Sequence, residues 1–293
     1  MIYFSIIIPH KNIPDLLQRC LDSIPARDDV QVIVVDDNSD VDAVDFEHFP
    51  QWKGKNYEFY LTKEGKGAGY ARNVGLKHAK GEWVLFADAD DLYTNDISSL
   101  LDDMQDEDGD LVFFNYENVL SDDITKTVKN RAWYQKDVRD YLAGYVDEAQ
   151  LRTHFIVPYC KFIKRVLVEK HKIRFSEVRW ANDVMFSAQV GCVAQKVKVF
   201  DVVAYLLTER NGSLANDYCG SFEEVQTRLN EALKLKELFV RYGLPNGKRS
   251  EYNLLCTAYN KHGFWWCAVF CLKNVLHGRV FVSMFKFLLN KLW

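Results

Sequence analysis

The stretch 82-EWVLFADADDLY-93 sets four apolar residues and an alanine directly before three carboxylates, Asp88, Asp90 and Asp91. A short apolar run bounded in this way reads as a strand buried on both faces, the kind found in parallel sheets. Carboxylates crowded at its end repel one another. Their clustering raises the question of what offsets that repulsion.

Working outward, the same pattern recurs. Tyr3 to Pro9 (YFSIIIP) is an apolar, β-branched run closed by proline, and Val30 to Asp40 (VQVIVVDDNSD) is a second such run that ends in acids. Between them, Leu16, Leu17, Cys20, Leu21 and Ile24 fall at the spacing of one helix face. NYEFYLT reads as a third strand, GYARNVGLKHA as a helix and EWVLFAD as the fourth strand. Strands alternating with helices predict an α/β domain with a mainly parallel central sheet flanked by helices. Ligands bind beyond the carboxyl ends of such strands. Here those ends carry PHKN, DDNSD, KEGKGAGYARN and DADD, so polar, charged and glycine-rich residues gather on one sheet edge.

Further along, Ile97 to Met104 is predicted as a short helix and Asp110 to Tyr116 as a strand. RDYLAGYV reads as helical, YCKFIKRVLVEKHKIRF as a strand or turn leading into a helix, and Lys196 to Arg210 as a strand pair. From Ser221 onward the chain is helical. Ser221 and Glu224 form a capping box, and Gly243-Leu244-Pro245 stops the helix. The expected division is 1–215 for the α/β domain and 216–293 for a helical C-terminal region.

A formal charge of −4 over 293 residues gives no overall pull toward nucleic acid. The charge is uneven, however. Glu251 is the last acid, and Lys261, Lys273, Arg279, Lys286 and Lys291 follow it. A basic, aromatic tail with the pattern RVFVSMFKFLLNKLW points to an anionic membrane surface as a partner. Seven cysteines without a C-x-x-C pair, and an N-terminus without a basic n-region or cleavage site, point to a reducing, cytoplasmic setting, peripheral on the membrane's inner face.

Asp88 and Asp90, one residue apart at a strand end, can meet one hard divalent cation, Mg²⁺ or Mn²⁺, whose remaining ligands are commonly phosphate oxygens. Arg72 and Lys66, on the intervening segment, are placed to face an anion. The plainer reading is a solvated loop with Asp91 capping the next helix. Other chemistries fit less well. GAGYAR begins like a dinucleotide fingerprint, but Arg72 replaces its final small residue. Aspartyl-phosphate phosphatases follow D-x-D with threonine, whereas Asp91 and Leu92 follow here. Nucleotidyltransferases open with a glycine-rich basic loop, which PHKNIPD is not.

Taken together, these motifs resemble the family 2 glycosyltransferases of GT-A fold. SIIIPHKN is similar to their opening strand and turn, VIVVDDNSD to the V-D-D-x-S segment, and GAGYARNVGLKHAKGEWVLFADADD to the A-R-N…D-x-D-D stretch. CKFIKRVLVEKHKIRFSE, VRWANDVMFSAQV and TERNGSL resemble the family's later segments, so the likeness runs from about Ile2 to Leu214. The resemblance implies an inverting transferase acting on a nucleotide-sugar, a UDP-sugar by analogy, with a glycan or lipid-linked acceptor in bacterial surface polysaccharide assembly. It implies that Asp36 and Asp37 accept bonds from the base, that Pro9 and Asn12 shape that pocket, and that Arg72 and Asn73 lie near the diphosphate. Asp88 would touch the ribose or the metal, and Asp90 would bind the metal. Asp183 would be the general base, and Trp180 and Asn182 would meet the acceptor. Two positions depart from the family pattern. Lys11 stands where many members have an aromatic residue, and Asn182 replaces the usual Glu. The latter keeps open a non-catalytic nucleotide-sugar-binding scaffold.

Overall fold

The computed structural model of the chain describes residues 1–52, 54–128, 133–210, 219–245 and 251–276. Strand β1 (Phe4–His10) is buried at every position, as is β2 (Val30–Asp37). Between them, α1 (Pro14–Ser23) opens on a proline, whose fixed φ suits a first turn, and buries Leu17, Cys20 and Leu21. Next come β3 (Tyr57–Thr62), α2 (Ala68–His78), β4 (Trp83–Phe86), the two-residue β5 (Leu92–Tyr93) and α3 (Ile97–Asp103). Then follow β6 (Leu111–Leu120), α4 (Trp133–Leu142), α5 (Glu148–His154), β7 (Lys161–Lys164), α6 (Arg165–Lys170), α7 (Val184–Val193) and β8 (Val197–Glu209).

All eight strands form one sheet in the order β3-β2-β1-β4-β7-β6-β8-β5. β1 pairs in parallel with both β2 and β4, and β6 with β8, while β7 and β5 run against their neighbours. The sheet is therefore mainly parallel, and the ends of β1, β2 and β4 point their acidic and polar segments the same way.

One element departs from expectation. Lys196 to Arg210 is not a strand pair but a single long strand, β8. Asp201 lies at a bulge where the register against β6 shifts on either side of Asn115. There the Asn115 amide donates to the Asp201 carboxylate at 2.8 Å, so the break in alternation is absorbed without reversing the chain.

The chain separates into two compact units, 1–211 and 212–293. In the second, α8 (Phe222–Tyr242) begins with the capping box. Ser221 Oγ accepts the Glu224 N–H at 3.1 Å, and the Glu224 carboxylate takes the N–H groups of Cys219 and Gly220 at 3.0 and 2.9 Å. The helix ends at Gly243 in the left-handed conformation, with the Leu244 N–H returning to the Phe239 carbonyl. α9 (Glu251–Leu276) is kinked at Gly263. Leu229, Leu255, Cys267 and Phe270 lie in the core of this unit. The seven cysteines are all unbonded. The predicted tail helix at 279–293 and the boundary at 215/216 lie outside the described residues.

Candidate active site

The DADD segment follows β4, and its carboxylates take different environments. Asp88 Oδ1 accepts from Arg72 Nη2 at 2.5 Å, and Asp90 Oδ2 faces Arg210 Nε at 3.2 Å. Asp91 points into the protein. Its two oxygens accept from the Tyr205 hydroxyl at 2.8 Å and the Thr208 N–H at 2.7 Å. It does not cap α3; it ties the loop to β8. The same Tyr205 oxygen accepts the Asp88 N–H at 3.0 Å, and its ring stacks on Tyr159. Arg19 braces the loop from α1, donating to the Asp90 carbonyl at 2.8 Å and the Ser121 carbonyl at 2.5 Å. Burial first, and then Asp90, pushes the Asp91 carboxyl well above the usual carboxylate range. Asp90 is raised by burial and then by Asp88. The cluster therefore carries an electrostatic cost as it stands.

Asp88 and Asp90 fit a hard cation. Each retains one carboxylate oxygen that no donor among the described residues reaches, and each side chain stays partly open to solvent. Two such oxygens are the usual protein share of a Mg²⁺ or Mn²⁺ site, with phosphate oxygens supplying more. A doubly positive ion there also offsets the repulsion that raises Asp90.

The acids ending β2 divide their work. Asp36 is saturated: its Oδ1 takes the Ser39 N–H at 2.8 Å, and its Oδ2 takes Ser39 Oγ at 2.6 Å and His10 Nδ1 at 2.7 Å. His10 Nε2 accepts the Ile13 N–H at 3.2 Å, which assigns the neutral tautomer protonated at Nδ1. Burial opposes ionisation of Asp36, yet the donors from His10 and Ser39 leave its carboxyl below the usual range. Asp36 thus builds the turn and has little left for a base. Asn12 is also engaged: its side chain pairs with the Asp40 backbone N–H and carboxylate, and its own N–H donates to Ser39 Oγ. Pro9 lies buried within β1. Asp37 differs. Its Oδ2 accepts the Gly67 N–H at 2.8 Å and lies 3.7 Å from Lys11 Nζ, while its Oδ1 is buried without a partner. A buried acceptor left empty is costly, and Asp37 Oδ1 is such an acceptor at the end of β2.

The third group joins α2 to the segment before α7. Arg72 is buried, lies over the Phe175 ring, and donates to Asn182 Oδ1 at 3.0 Å as well as to Asp88. Asn73, expected near the diphosphate, instead spends its amide on both backbone groups of Phe175, at 2.9 and 3.0 Å. Close approach of this segment to α2 depends on Gly69, where a Cβ would lie 2.2 Å from the Ser176 carbonyl oxygen and 3.0 Å from Asn182 Cβ. The second glycine of GAGYAR thus serves chain packing. We expect Gly69→Ala to displace the 176–182 segment and to destabilise the protein by about 1–3 kcal/mol, read as a lower denaturation midpoint. An unchanged midpoint would show that the segment yields freely.

Ala181 holds φ at 56°, a left-handed conformation that costs a non-glycine residue about 1 kcal/mol. It turns the chain between Trp180, half-buried beside Arg179, and Asn182. Asp183 occupies the N-cap position of α7, but its side chain makes no cap bond and no other hydrogen bond among the described residues. It is a half-buried carboxylate with free lone pairs, next in sequence to a residue clamped by Arg72. The structure thus links Asp88, Arg72 and Asn182 directly, places Asp90 beside Arg210, and ties Asp36, Asn73 and Asp91 into hydrogen bonds within the chain. His10, Tyr205, Thr208 and Arg210 also contribute, although the sequence assigns none of them a role.

The chain is also similar to known proteins. The sequence profile of glycosyl transferase family 2 fits residues 5–172, more than half of the chain. The chain belongs to glycosyl transferase family 2. Among family relatives, the poly(ribitol-phosphate) beta-glucosyltransferase of Bacillus spizizenii is 29% identical over 262 residues, covering 80% of this chain but 39% of that longer protein. In structure, Staphylococcus aureus TarS 1–349 in complex with UDP-GlcNAc superposes with a TM-score of 0.61 at 20% identity, over 99% of this chain and 79% of that one. The Pyrobaculum calidifontis mannosyltransferase PcManGT, in complex with GDP-Man and Mn²⁺, gives 0.53 at 19% identity, over 94% and 76%. These likenesses establish the GT-A architecture for this family 2 transferase.

Proposed function

We propose that this transferase moves a sugar from a UDP-sugar to a hydroxyl of a glycan or lipid-linked acceptor, with inversion at the anomeric carbon. The observation that carries the reading is a set of unused acceptors: Asp37 Oδ1 at the end of β2, one oxygen each of Asp88 and Asp90 after β4, and the Asp183 carboxylate next to Asn182 at the start of α7. Asp37 Oδ1 is suited to receive the base N–H. Asp88 and Asp90 would hold Mn²⁺ or Mg²⁺, which supplies positive charge toward a departing nucleoside diphosphate. TarS, whose complex contains UDP-GlcNAc, supports a uridine donor by its likeness in fold.

In the reaction Asp183 takes the proton of the acceptor hydroxyl as that oxygen attacks the anomeric carbon. The bond from that carbon to the diphosphate oxygen breaks, and its electron pair leaves with the nucleotide. A single displacement with one base inverts the centre. Arg72, shared between Asp88 and Asn182, keeps the donor and acceptor sides in register. Asn182 thereby supports catalysis despite replacing the family's usual acid. Its carbonyl oxygen serves Arg72, and its amide hydrogens remain for the acceptor, with Trp180 alongside.

The test is UDP release from a panel of UDP-sugars with Mn²⁺ and, separately, with chelator. Release with at least one donor is expected; none with any donor would favour the binding scaffold instead. Asp90→Asn is expected to leave the metal-free denaturation midpoint no lower, since burial and Asp88 already disfavour its charge. The same substitution should remove the stabilisation that Mn²⁺ and UDP together give the wild type.

A further inference from the structure

The second unit contains a helix that is apolar on two sides. After the break at Gly263, residues 264–276 of α9 bury Cys267, Phe270, Cys271 and Asn274 in the core formed with α8. On the other side Trp265, Val269 and Leu272 are 80%, 49% and 61% exposed. Spaced four and then three residues apart, they fall in one stripe along the outer face. An ordinary surface helix carries polar residues there, and a stripe headed by a bare tryptophan marks an interaction surface.

The surrounding charge indicates what covers it. From residue 252 to the end the sequence has no Asp or Glu, while Lys261 and Lys273 lie on α9 and Arg279, Lys286 and Lys291 follow it. Lys261, before the break at Gly263, and Lys273, which follows Leu272 in sequence and whose ammonium lies 4.9 Å over the Phe222 ring, are exposed. A cationic segment with an apolar stripe complements a surface that is anionic outside and apolar beneath. Among the described residues no helix is long and apolar enough to cross a membrane, which fits a helix lying in the interface plane. Tryptophan is favoured at that depth, where its ring is apolar and its N–H meets water.

We propose that the Trp265–Val269–Leu272 face of α9 is a docking surface for an anionic lipid bilayer, on which it lies parallel to the membrane plane. The inference is independent of the sugar-transfer chemistry, though it suits the lipid-linked acceptor proposed above.

Flotation of the full chain with vesicles of phosphatidylcholine alone, or of phosphatidylcholine with phosphatidylglycerol, tests it. Binding is expected to the anionic vesicles, and the bound fraction should fall about tenfold or more in a Trp265→Glu/Val269→Glu/Leu272→Glu variant. The altered residues are exposed, so an unchanged denaturation midpoint would certify that the variant is folded. Acceptor-independent UDP release by both proteins reports the sugar site separately and should be equal. Absence of wild-type flotation, equal flotation of the variant, or a stripe substitution that only converts a dimer to a monomer would each overturn the assignment.

Discussion

Asp183→Asn should lower sugar transfer by about 10²–10⁴-fold, the usual contribution of a positioned base. Nucleotide-sugar affinity, measured by titration with UDP-sugar and Mn²⁺, should stay within a few-fold of the wild type. The separation follows from the geometry. Asp183 makes no hydrogen bond that asparagine would break, and it supports neither the Asp88–Arg72–Asn182 chain nor Asp37. Asparagine is nearly isosteric and cannot accept the acceptor's proton at neutral pH. A loss of donor binding equal to the loss of rate would identify Asp183 as a binding group, and full activity would remove it from the chemistry.

Lys161 should give the protein an unusual dependence on alkaline pH. It begins β7, is fully buried, and donates to the carbonyls of Phe155, at 2.6 Å, and Val157, with its ammonium over the Phe113 and Phe155 rings. Burial pulls its pKa down to about 7, against the opposing influence of Cys160 and Asp183. In the unfolded chain the amine titrates near its ordinary value of about 10.4. Between these limits the unfolded state binds more protons than the folded one, so stability rises with pH across that window. Below about pH 7 both states are protonated and the burial cost is complete. Lys161→Met keeps the length and removes the titration. The stability of the wild type relative to this variant should therefore grow by up to about 1.4 kcal/mol per pH unit from pH 7 toward 10. Denaturant melts of both proteins at several pH values measure it, and a pH-independent difference would mean that the ammonium is held by its carbonyls with an ordinary pKa.

Strands β1, β2 and β4 are readable in the sequence because each is a largely apolar run followed by polar residues, and period and punctuation agree. The capping box at Ser221 and the stop at Gly243 are likewise local, each completed within six residues, and both are realised. What escapes is non-local. Asp36 and Asp37 are adjacent and chemically identical, yet His10 and Ser39 saturate one while the other keeps an empty oxygen. Asn73 sits in a motif that resembles a diphosphate contact, but its partner is the backbone of Phe175, 102 residues away. The stretch 196–210 reads as a strand pair but is the single strand β8, in which the facing Asn115 on β6 accommodates the polar Asp201.

The tie between Asp91 and β8 has a consequence for how the enzyme is made. A nascent chain that has reached residue 172 already contains every residue matched by the family profile, yet it lacks Tyr205 and Thr208, the only donors to the Asp91 carboxylate among the described residues. Until the ribosome has delivered those two, the acidic loop has no floor to close on. Capacity to hold a nucleotide should therefore arrive in one late step of synthesis, and a product truncated near residue 200 should be inert toward UDP even with its aspartate motif complete.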